Sequence, residues 1–450
     1  MKSTFSGWRY LWTSVDIRRK LLFTLGFLAL YRVAANVPVP GVDFAALELF
    51  RSSGAGGTIL NFLDLLSGGT VSQFSLLSMG VYPYITAQII LQLLTPIIPA
   101  LQQRMEDDPR EGQKWMEKWT YILAVPMAML SAIGQVNIFN SFATQGGLAQ
   151  IVPFGFTGAL LLPSITVLLA MTGGTMFAIW LGELISEYGM RKQGLSLIIF
   201  AGIVVNLPSN LVRMMSDEQS RWLLLAVTIV VLIATIYAVV FVQQGQRNVP
   251  VMYPGRRMGN RMSMPVKGSL PLKVNMAGMI PLIFASAILQ FPAIVSSYFI
   301  NSETAWIANF AQGTQTTFDG SGATYWLIYF VMVVVFTFFY TDVLFAQQNY
   351  GENLKRMGAQ IPGVSRGAPT QRYLTKVQRR ITLPGALFLG LVAVLPFLMQ
   401  QVMPIGPQGS GLLLVSSAGL LIVVGVVRDF FQNIDAELKL HGYQDSILVR

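Results

Sequence analysis

Ten long apolar runs dominate this sequence and leave few folds open to it. A helix needs about 20 mostly apolar residues to cross the hydrocarbon core of a bilayer. The runs lie near residues 21–37, 74–94, 120–139, 155–181, 194–214, 222–243, 274–300, 323–345, 381–402 and 411–427. Only 12% of the residues are charged, whereas a soluble domain carries about 25%. Because backbone polar groups must be satisfied internally in lipid, the runs predict an all-α membrane protein with ten spanning helices.

The basic residues are distributed unevenly between the two sides of the predicted spans. Of the 31 Lys and Arg residues, all but four fall on one side, and the exceptions are Arg32 near a span end, Arg51, Arg213 and Arg221. Cytoplasmic loops of membrane proteins carry an excess of Lys and Arg. The distribution therefore predicts that both termini are cytoplasmic, which agrees with an even number of spans.

Ten spans can divide into two halves of five. Because five is odd, the second half would be inverted in the membrane relative to the first, an arrangement that can build a central pathway. The predicted parts are a cytoplasmic segment 1–20, an N-terminal half 21–214, a C-terminal half 215–430 with cytoplasmic loops 243–273 and 341–380, and a cytoplasmic tail 431–450. The halves show no clear similarity in sequence, so the inverted repeat is an expectation about structure alone.

A short apolar piece precedes the second span. Residues 59–66 are too few to cross a bilayer, and the pair Gly68 and Gly69 then interrupts the helical pattern. A short helix hinged by glycines onto a spanning helix fits a re-entrant segment, which is tolerated only inside protein or a water-filled cavity. An extracytoplasmic loop that touches the membrane surface fits the pattern equally well, and the residues alone leave both interpretations open.

Two long cytoplasmic loops are strongly basic. Residues 243–273 contain six basic residues and no acidic residue, and residues 341–380 contain seven basic residues against Asp342 and Glu352. Loops of this length exceed the usual connections between helices. They favour docking of an anionic partner such as RNA phosphate or an acidic protein. The alternative is membrane topology combined with attraction to anionic lipids.

The motifs of common enzyme chemistry and the intramembrane charges of proton coupling are absent from the sequence, although sodium coupling through backbone carbonyls stays possible. There is no cysteine, the single histidine is His441, and no HExxH, GxSxG or GxxxxGK[ST] motif occurs, so no cofactor or metal is expected. The ionisable residues Arg32, Glu183 and Asp342 lie only at span ends, which argues against a proton-coupled transporter. A secondary transporter and a membrane-embedded enzyme remain the alternatives to a passive pathway lined by apolar groups.

Five segments resemble the bacterial SecY family, the channel subunits of the Sec protein translocon. They are GVYPYITAQIILQLL at 80–94, SLIIFAGIVVNLP at 196–208, SLPLKVNMAGMIPLIFASAILQFP at 269–292, ENLKRMGAQIPGV at 352–364 and LLIVVGVVRDF at 420–430. The resemblance covers nearly the whole chain. It implies two five-helix halves around an hourglass pore in the plasma membrane. Such a channel conducts unfolded secretory polypeptides and releases membrane-protein helices sideways into lipid, and it is not an enzyme.

The resemblance also implies roles for particular residues. An aliphatic ring at the waist of the pore corresponds to Val81, Ile85, Leu195, Ile199, Ile283 and Ile422. A plug that closes the outer funnel corresponds to Asn61, Phe62, Leu63, Asp64, Leu65, Leu66, Ser67, Gly68 and Gly69. A lateral gate between spans 2 and 7 corresponds to Thr86, Ile89, Gln92, Ser286, Gln290 and Phe291. Polar residues in that seam would weaken it, although ordinary hydrogen bonding between helices explains them as well.

The implied partners are the SecE and SecG subunits, the SecA motor ATPase and the ribosome with its rRNA. The docking residues carried over are Arg256 and Arg257 in the first basic loop and Arg366 in the second. The family usually reads PGIRPG in the second loop, whereas this chain reads PGVSRG at 362–367, with Ser365 at the arginine position. Arg366 follows one residue later, so whether it replaces the displaced arginine is open.

Overall fold

The described residues of the computed structural model are 15–52, 74–95, 98–145, 151–155, 158–190, 193–215, 221–254, 257–258, 261–262, 266–278, 280–297, 299, 304–318, 322–402 and 417–440. Each of the ten predicted runs contains a helix, so the predicted all-α fold is confirmed. The helices are α1 (Val15–Ala35), α2 (Phe44–Ser52), α3 (Tyr82–Leu94), α4 (Pro99–Asp107), α5 (Pro109–Gln145), α6 (Leu161–Tyr188), α7 (Gly194–Met215), α8 (Arg221–Gln244), α9 (Ile280–Ser297), α10 (Ala305–Phe318), α11 (Ala323–Gln348), α12 (Tyr350–Arg356), α13 (Ala368–Val402) and α14 (Ser417–Leu440).

Several helices are long enough to cross a membrane. Within the described ranges, four qualify singly by length and hydropathy, namely Arg110–Asn140, Leu161–Tyr188, Ala323–Arg356 and Ala368–Leu395. The pair formed by Tyr82–Leu94 and Pro99–Met105 qualifies together as a fifth. Some helices continue past the apolar run that predicted them, because backbone hydrogen bonding does not stop where lipid ends.

The start of α5 shows which residues set the end of a helix that continues past its apolar run. Asp108 precedes the helix, and its Oδ1 accepts hydrogen bonds from Arg110 N at 3.0 Å and Glu111 N at 3.2 Å. Pro109 then occupies the first helical position, where its missing amide hydrogen costs no bond. The Asp-Pro pair therefore starts α5 at Pro109, although the apolar run begins near residue 120.

The second predicted span needs a correction. The sequence predicts a span over 74–94 that carries Gly80 and Pro83, two residues that permit a break. The helix α3 begins only at Tyr82, and residues 74–81 form consecutive turns. Gly80 has a φ angle of 52°, a left-handed value that glycine adopts without the clash of a Cβ atom. Pro83 lies in the first turn of α3, where proline is tolerated. These two residues end the turns and begin the helix.

Backbone bonds and packing fix the turn segment before α3. Leu76 N donates a hydrogen bond to Val37 O at 2.9 Å. The Leu76 carbonyl lies so close to Gly174 of α6 that a Cβ atom on residue 174 would overlap it. Phe74 is fully buried, and its ring meets Phe139 edge-on with 5.0 Å between the centroids. The entry to α3 is therefore held against both α5 and α6.

The chain divides into two compact units. The first comprises Met1–Val230, Leu289–Tyr325 and Pro396–Arg450, and the second comprises Val231–Ile288 and Trp326–Leu395. The boundaries fall inside α8, α9, α11 and α13, so these helices contribute to both units. The predicted division into halves at residues 214 and 215 stays a prediction.

Small residues bring helices close together in the first unit. Ala124, Ala128 and Ala132 recur every fourth residue on α5, and all three are fully buried. Residues at this spacing share one face of a helix, and small side chains allow a neighbouring backbone to approach. Both α3 and α6 contact α5. This packing fixes α3, the helix that carries the first predicted ring residues.

The second unit contains strands that the sequence analysis did not predict. Strand β1 (Gln246–Tyr253) pairs antiparallel with β4 (Val266–Lys273), and the short strands β2 (Arg257–Met258) and β3 (Arg261–Met262) pair between them. The first basic loop is therefore largely a β-ribbon. The missed signal is the alternation in β1, where Val249 and Val251 are buried between exposed neighbours, as expected of a half-buried strand.

Candidate pore, gate and docking sites

The first two residues of the predicted ring lie at the start of α3. Val81 is 3% exposed, immediately before the helix, and Ile85 N donates to Val81 O at 3.2 Å. The four-residue spacing places both side chains on one face. Another part of α3 carries Tyr84 and Ala87, which are buried in a cluster with Ala124 of α5. That packing anchors the helix that begins after Val81 and carries Ile85.

Leu195 and Ile199 lie one turn apart on α7, and both are half-buried. Leu195 packs against the cluster that contains Tyr84 of α3. Gly182 of α6 leaves room for the Leu195 side chain, because a Cβ atom on residue 182 would lie only 2.7 Å from Leu195 Cδ2. The structure thus brings Leu195, the first predicted ring residue of α7, to α3, the helix that begins after Val81.

The remaining two ring candidates lie on different helices. Ile422 is 7% exposed on α14, and α14 packs against α7 in the first unit. Ile283 is half-buried on the part of α9 that belongs to the second unit. Five of the six candidates therefore share one compact unit. The ring itself stays a prediction.

Two of the described gate candidates, Thr86 and Ser286, satisfy their hydroxyl groups within their own helices. Thr86 Oγ1 donates to Tyr82 O at 3.1 Å, and Ser286 Oγ donates to Ile283 O at 2.8 Å. Such bonds between a hydroxyl and the preceding turn are common in helices. Neither hydroxyl therefore requires a partner on a facing helix.

The other gate candidates are placed less completely. Ile89 is 5% exposed on α3, and Gln92 is half-buried one turn later. Gln290 and Phe291 belong to α9 by their backbones. The predicted plug at 61–69 lies outside the described residues. The contact between α3 and α9 across a gate stays a prediction.

The two basic loops form one folded body in the second unit. Met252 of β1 and Gln360, which follows α12, exchange backbone hydrogen bonds of 2.8 and 2.9 Å. A buried cluster joins residues from both loops, including Val251, Leu354 and Ile361. We call the described residues within 246–273 and 350–380 the platform. The sequence analysis treated these loops as separate segments.

The platform presents basic side chains on its surface. Its acidic residue Glu352 lies 3.6 Å from Lys355 Nζ and 3.8 Å from Arg356 Nε, and nearby Asp342 pairs with Arg379 at 2.9 Å. The docking candidate Arg366 is exposed. The further exposed basic residues are Arg247, Lys267, Lys273, Arg372, Lys376 and Arg380. Their excess over the acidic side chains favours an anionic partner.

Two of the three docking candidates, Arg257 and Arg366, lie within the described residues. Arg257 begins β2, so its backbone lies at the tip of the ribbon, whereas Arg256 lies outside the described residues. Arg366 lies between Gly363 and Gly367, whose φ angles are 79° and 87°. Glycine suits such left-handed values, so the loop turns on both sides of Arg366 and leaves its side chain exposed.

The platform is attached to the segment that leads into α9. Val274 N donates to Gly245 O at 2.9 Å, and Gln378 Nε2 donates to Lys273 O at 3.1 Å. Gln378 is 1% exposed. A Cβ atom on Gly385 would lie 2.8 Å from the Val274 carbonyl oxygen, so α13 contacts the segment directly. Sequence reasoning missed these residues because none belongs to a chemical motif.

Asn275 forms the last turn before α9, and its replacement by alanine is the first prediction. Its Oδ1 accepts from Gly278 N at 2.9 Å, and its Nδ2 donates to Gly278 O at 3.0 Å. Asn275 is 5% exposed and Gly278 is half-buried, so Asn275→Ala removes the partner of two half-buried backbone groups. We expect a loss of about 1–3 kcal/mol, measured as a lower midpoint of thermal unfolding in detergent.

Asn248→Ala is the matched control, because Asn248 is exposed on β1. Its unfolding midpoint should stay near that of the unchanged protein. Equal midpoints for both variants would mean that the Asn275 turn does not stabilise the entry to α9.

The described residues contain no group of three or more His, Cys, Asp or Glu side chains that could hold a metal ion. The described residues instead offer apolar packing between helices and a positively charged surface on the platform.

Comparisons with known proteins place the chain in a family. The SecY family model matches residues 75–431. A protein translocase subunit SecY from Mycobacterium bovis is 38% identical over 440 residues, covering 96% of this chain and 97% of the relative. The protein of the same name from Streptomyces scabiei is 35% identical over 436 residues, covering 95% and 96%.

Solved structures agree with this relationship at the level of the fold. One described as a protein-conducting channel has a TM-score of 0.59 and 17% identity, covering 97% of this chain and 94% of that chain. Sec61 in the canine ribosome-channel complex has a TM-score of 0.56 and 18% identity, with the same coverage. With a family match over most of its length and relatives above one-third identity along nearly all of it, the chain belongs to the SecY family.

Proposed function

We propose that this chain is the pore subunit of a bacterial protein translocase. It conducts unfolded secretory polypeptides across the plasma membrane and releases apolar helices sideways into lipid. The observation that carries this proposal is the relationship to protein translocase subunits at 38% identity over 96% of the chain. The transporter and enzyme alternatives have no comparable support, and the family is one of channels.

The aliphatic ring is proposed to seal the pore around the moving chain. Its six candidates carry only hydrocarbon side chains. Such side chains bind no specific sequence, and an apolar constriction can exclude ions by dewetting. The packing of α3, α6 and α7 around Gly182 supports a fixed position for Leu195. A ring held by helices in this way tolerates many client sequences while limiting the leak of ions.

The plug and the lateral gate are proposed to control two exits. Residues 61–69 close the outer funnel at rest, and separation of α3 from α9 opens a path into lipid. The bonds of Thr86 and Ser286 within their own helices support a separable gate. An apolar client segment would then leave because burial in lipid stabilises it by about 25 cal/mol per Å² of apolar surface.

The platform is proposed to dock the partner that drives transport. Its exposed basic side chains fit the rRNA of a ribosome or an acidic surface of the SecA motor ATPase. The related Sec61 structure comes from a ribosome-channel complex. This chain makes and breaks no bond itself, so the partner supplies the energy. SecE and SecG are the proposed companion subunits, and both termini of this chain lie in the cytoplasm.

The test of the proposed pore is photo-cross-linking from Ile85 in membranes that hold a stalled secretory chain. A benzophenone side chain at residue 85 should give adducts with the translocating segment. Leu25, which is 61% exposed on α1, is the control position and should give no such adduct. Failure to cross-link from Ile85, Ile199 and Ile283 alike would contradict a polypeptide path through the ring.

Reversal of charge at Arg256 and Arg257 tests the docking surface. Arg256→Glu together with Arg257→Glu changes the local charge by four units and should repel an anionic partner. We expect binding of SecA or ribosomes to proteoliposomes to weaken at least about tenfold at low salt, and the difference to shrink as salt screens the charges. Reversal of Arg110 and Lys114, in the mixed-charge segment 104–118, is the control. Unchanged binding of the Arg256→Glu, Arg257→Glu variant would mean that these charges set membrane topology and do not dock a partner.

A further inference from the structure

Helix α10 connects two predicted spans on the extracytoplasmic side of the predicted topology. Its last residue is Phe318, and the span that includes α11 begins at Ala323, so four residues separate them. An extended chain covers at most about 3.6 Å per residue, which keeps Phe318 within about 18 Å of Ala323. The tether therefore holds α10 close to the outer surface of the membrane. The predicted pore, plug, gate and docking residues all lie elsewhere in the chain.

The exposed side of α10 is aromatic. Trp306 is 72% exposed and Phe310 is 73% exposed, and residues four apart share one face of a helix. Gly313 is also exposed and continues this face by one turn. On the opposite face Ala311 and Gln315 are buried. We call Trp306, Phe310 and Gly313 the aromatic face of α10.

The rest of α10 is polar on one flank but carries no charge. Residues 305–318 contain no Asp, Glu, Lys or Arg. The three threonine hydroxyls of α10 donate to the carbonyl oxygens of Phe310 and Gly313, over distances of 2.8 to 3.0 Å. Bonds of this kind satisfy a hydroxyl within its own helix, so these donors need no water. The amides of Asn309 and Gln312 are exposed beside the aromatic face. The helix is thus amphipathic without being charged.

We propose that α10 is an interfacial anchor. It lies along the extracytoplasmic surface of the membrane, with Trp306 and Phe310 inserted between the lipid headgroups and the acyl chains and Gln312 towards water. Tryptophan is enriched at this depth, because its ring is apolar while its N–H group reaches a polar partner. A protein partner is steered and set in register by complementary charge. An uncharged helix offers none, whereas insertion into a lipid surface requires none.

A spin label can measure the depth of the aromatic face. The chain has no cysteine, so Gly313→Cys introduces a single site for the label. A Cβ atom on residue 313 would meet nothing within 4 Å, so the label disturbs no packing. The full chain is reconstituted in vesicles of phosphatidylethanolamine and phosphatidylglycerol. Electron paramagnetic resonance then gives the collision rates of the label with oxygen, which concentrates in lipid, and with a water-soluble nickel complex present on both sides.

The matched control is Gln312→Cys, an exposed position about a quarter turn away on the same helix. We expect the ratio of oxygen to nickel collisions to be at least about fivefold higher at residue 313 than at residue 312, as for a helix with one face in the interface. Labels at Leu327, which is 66% exposed on α11, and at the exposed Asn248 of β1 provide the lipid and water references. A ratio at residue 313 that matches the value at Asn248 would overturn the proposal.

Removal of the two aromatic side chains tests whether they hold the helix at this depth. In the Gly313→Cys chain, Trp306→Ser with Phe310→Ser should lower the collision ratio at least about threefold, because the apolar contact with lipid is lost. Ala305→Ser with Gln312→Ser is the control, since both positions are exposed outside the aromatic face. The midpoint of thermal unfolding in detergent verifies that both variants fold. An unchanged ratio in the folded Trp306, Phe310 variant would mean that these side chains are not the anchor.

Photo-cross-linking identifies what covers the aromatic face in native membranes. A benzophenone side chain at residue 310 replaces a phenylalanine, so the aromatic character of the face is kept. Adducts with phospholipid support the proposal. Adducts with protein alone, from a second copy of this chain or from another subunit, would overturn it. None of these measurements depends on polypeptide transport, so the outcome is independent of the proposed channel function.

Discussion

Replacing Gly174 with valine is expected to prevent stable folding of the first unit. The Leu76 carbonyl carbon would lie 2.6 Å from a Cβ atom on residue 174, and the carbonyl oxygen would lie closer still. The obstructing atoms belong to the backbone of the turn before α3, so no side-chain rotation can relieve the overlap. Overpacking of a core costs about 1–3 kcal/mol when side chains can adjust, and this case should exceed that range.

Gly173→Val provides a control at the neighbouring position. Its Cβ atom would meet nothing within 4 Å, although it lies on the same helix and adds the same side chain. The comparison uses the yield of monodisperse protein after detergent extraction and the midpoint of thermal unfolding. Gly174→Val should give little folded protein, whereas Gly173→Val should resemble the unchanged chain. Similar yields of the two variants would refute the close approach of α6 to the turn.

The helices were predictable from the sequence because spanning a membrane imposes a length and an apolar composition on each of them. The turn at 74–81 was not, because its residues are as apolar as the helix that follows. What breaks the helix there is the left-handed conformation of Gly80 and the backbone bond between Leu76 and Val37. Such a bond joins parts of the chain far apart in sequence, and hydropathy does not report it.

The candidate sites were predictable to different degrees. The basic charge of the two loops was evident from the sequence, and the family resemblance supplied the ring positions. Their union into one platform was not evident, because it depends on the pairing of Met252 with Gln360 and on buried side chains from both loops. The contact between Gly385 and Val274 depends on space around a glycine, which composition does not reveal.

The proposed plug and the proposed ring are two barriers to ions that lie one after the other. We therefore expect the ion conductance to rise strongly only when both barriers are weakened. Deletion of residues 61–67 removes most of the proposed plug, and Ile85→Asn with Ile199→Asn makes the proposed ring wettable. If ions must pass both seals, the more resistant seal limits the current while it remains. Combining the changes should therefore raise the conductance at least about tenfold above either change alone, since an apolar constriction excludes ions by dewetting.

Ion currents through reconstituted planar bilayers provide the measurement, at fixed voltage and equal protein density. The control combines the same deletion with Leu25→Asn and Leu169→Asn, because both leucines are 61% exposed. These substitutions make the same chemical change outside the ring, so they should add little current to the deletion. A combined ring and plug variant that conducts no more than the deletion alone would mean that Ile85 and Ile199 do not form an ion seal. A large current from the ring variant with its plug intact would instead show that the plug contributes little resistance, because a series barrier left in place must still limit the flow.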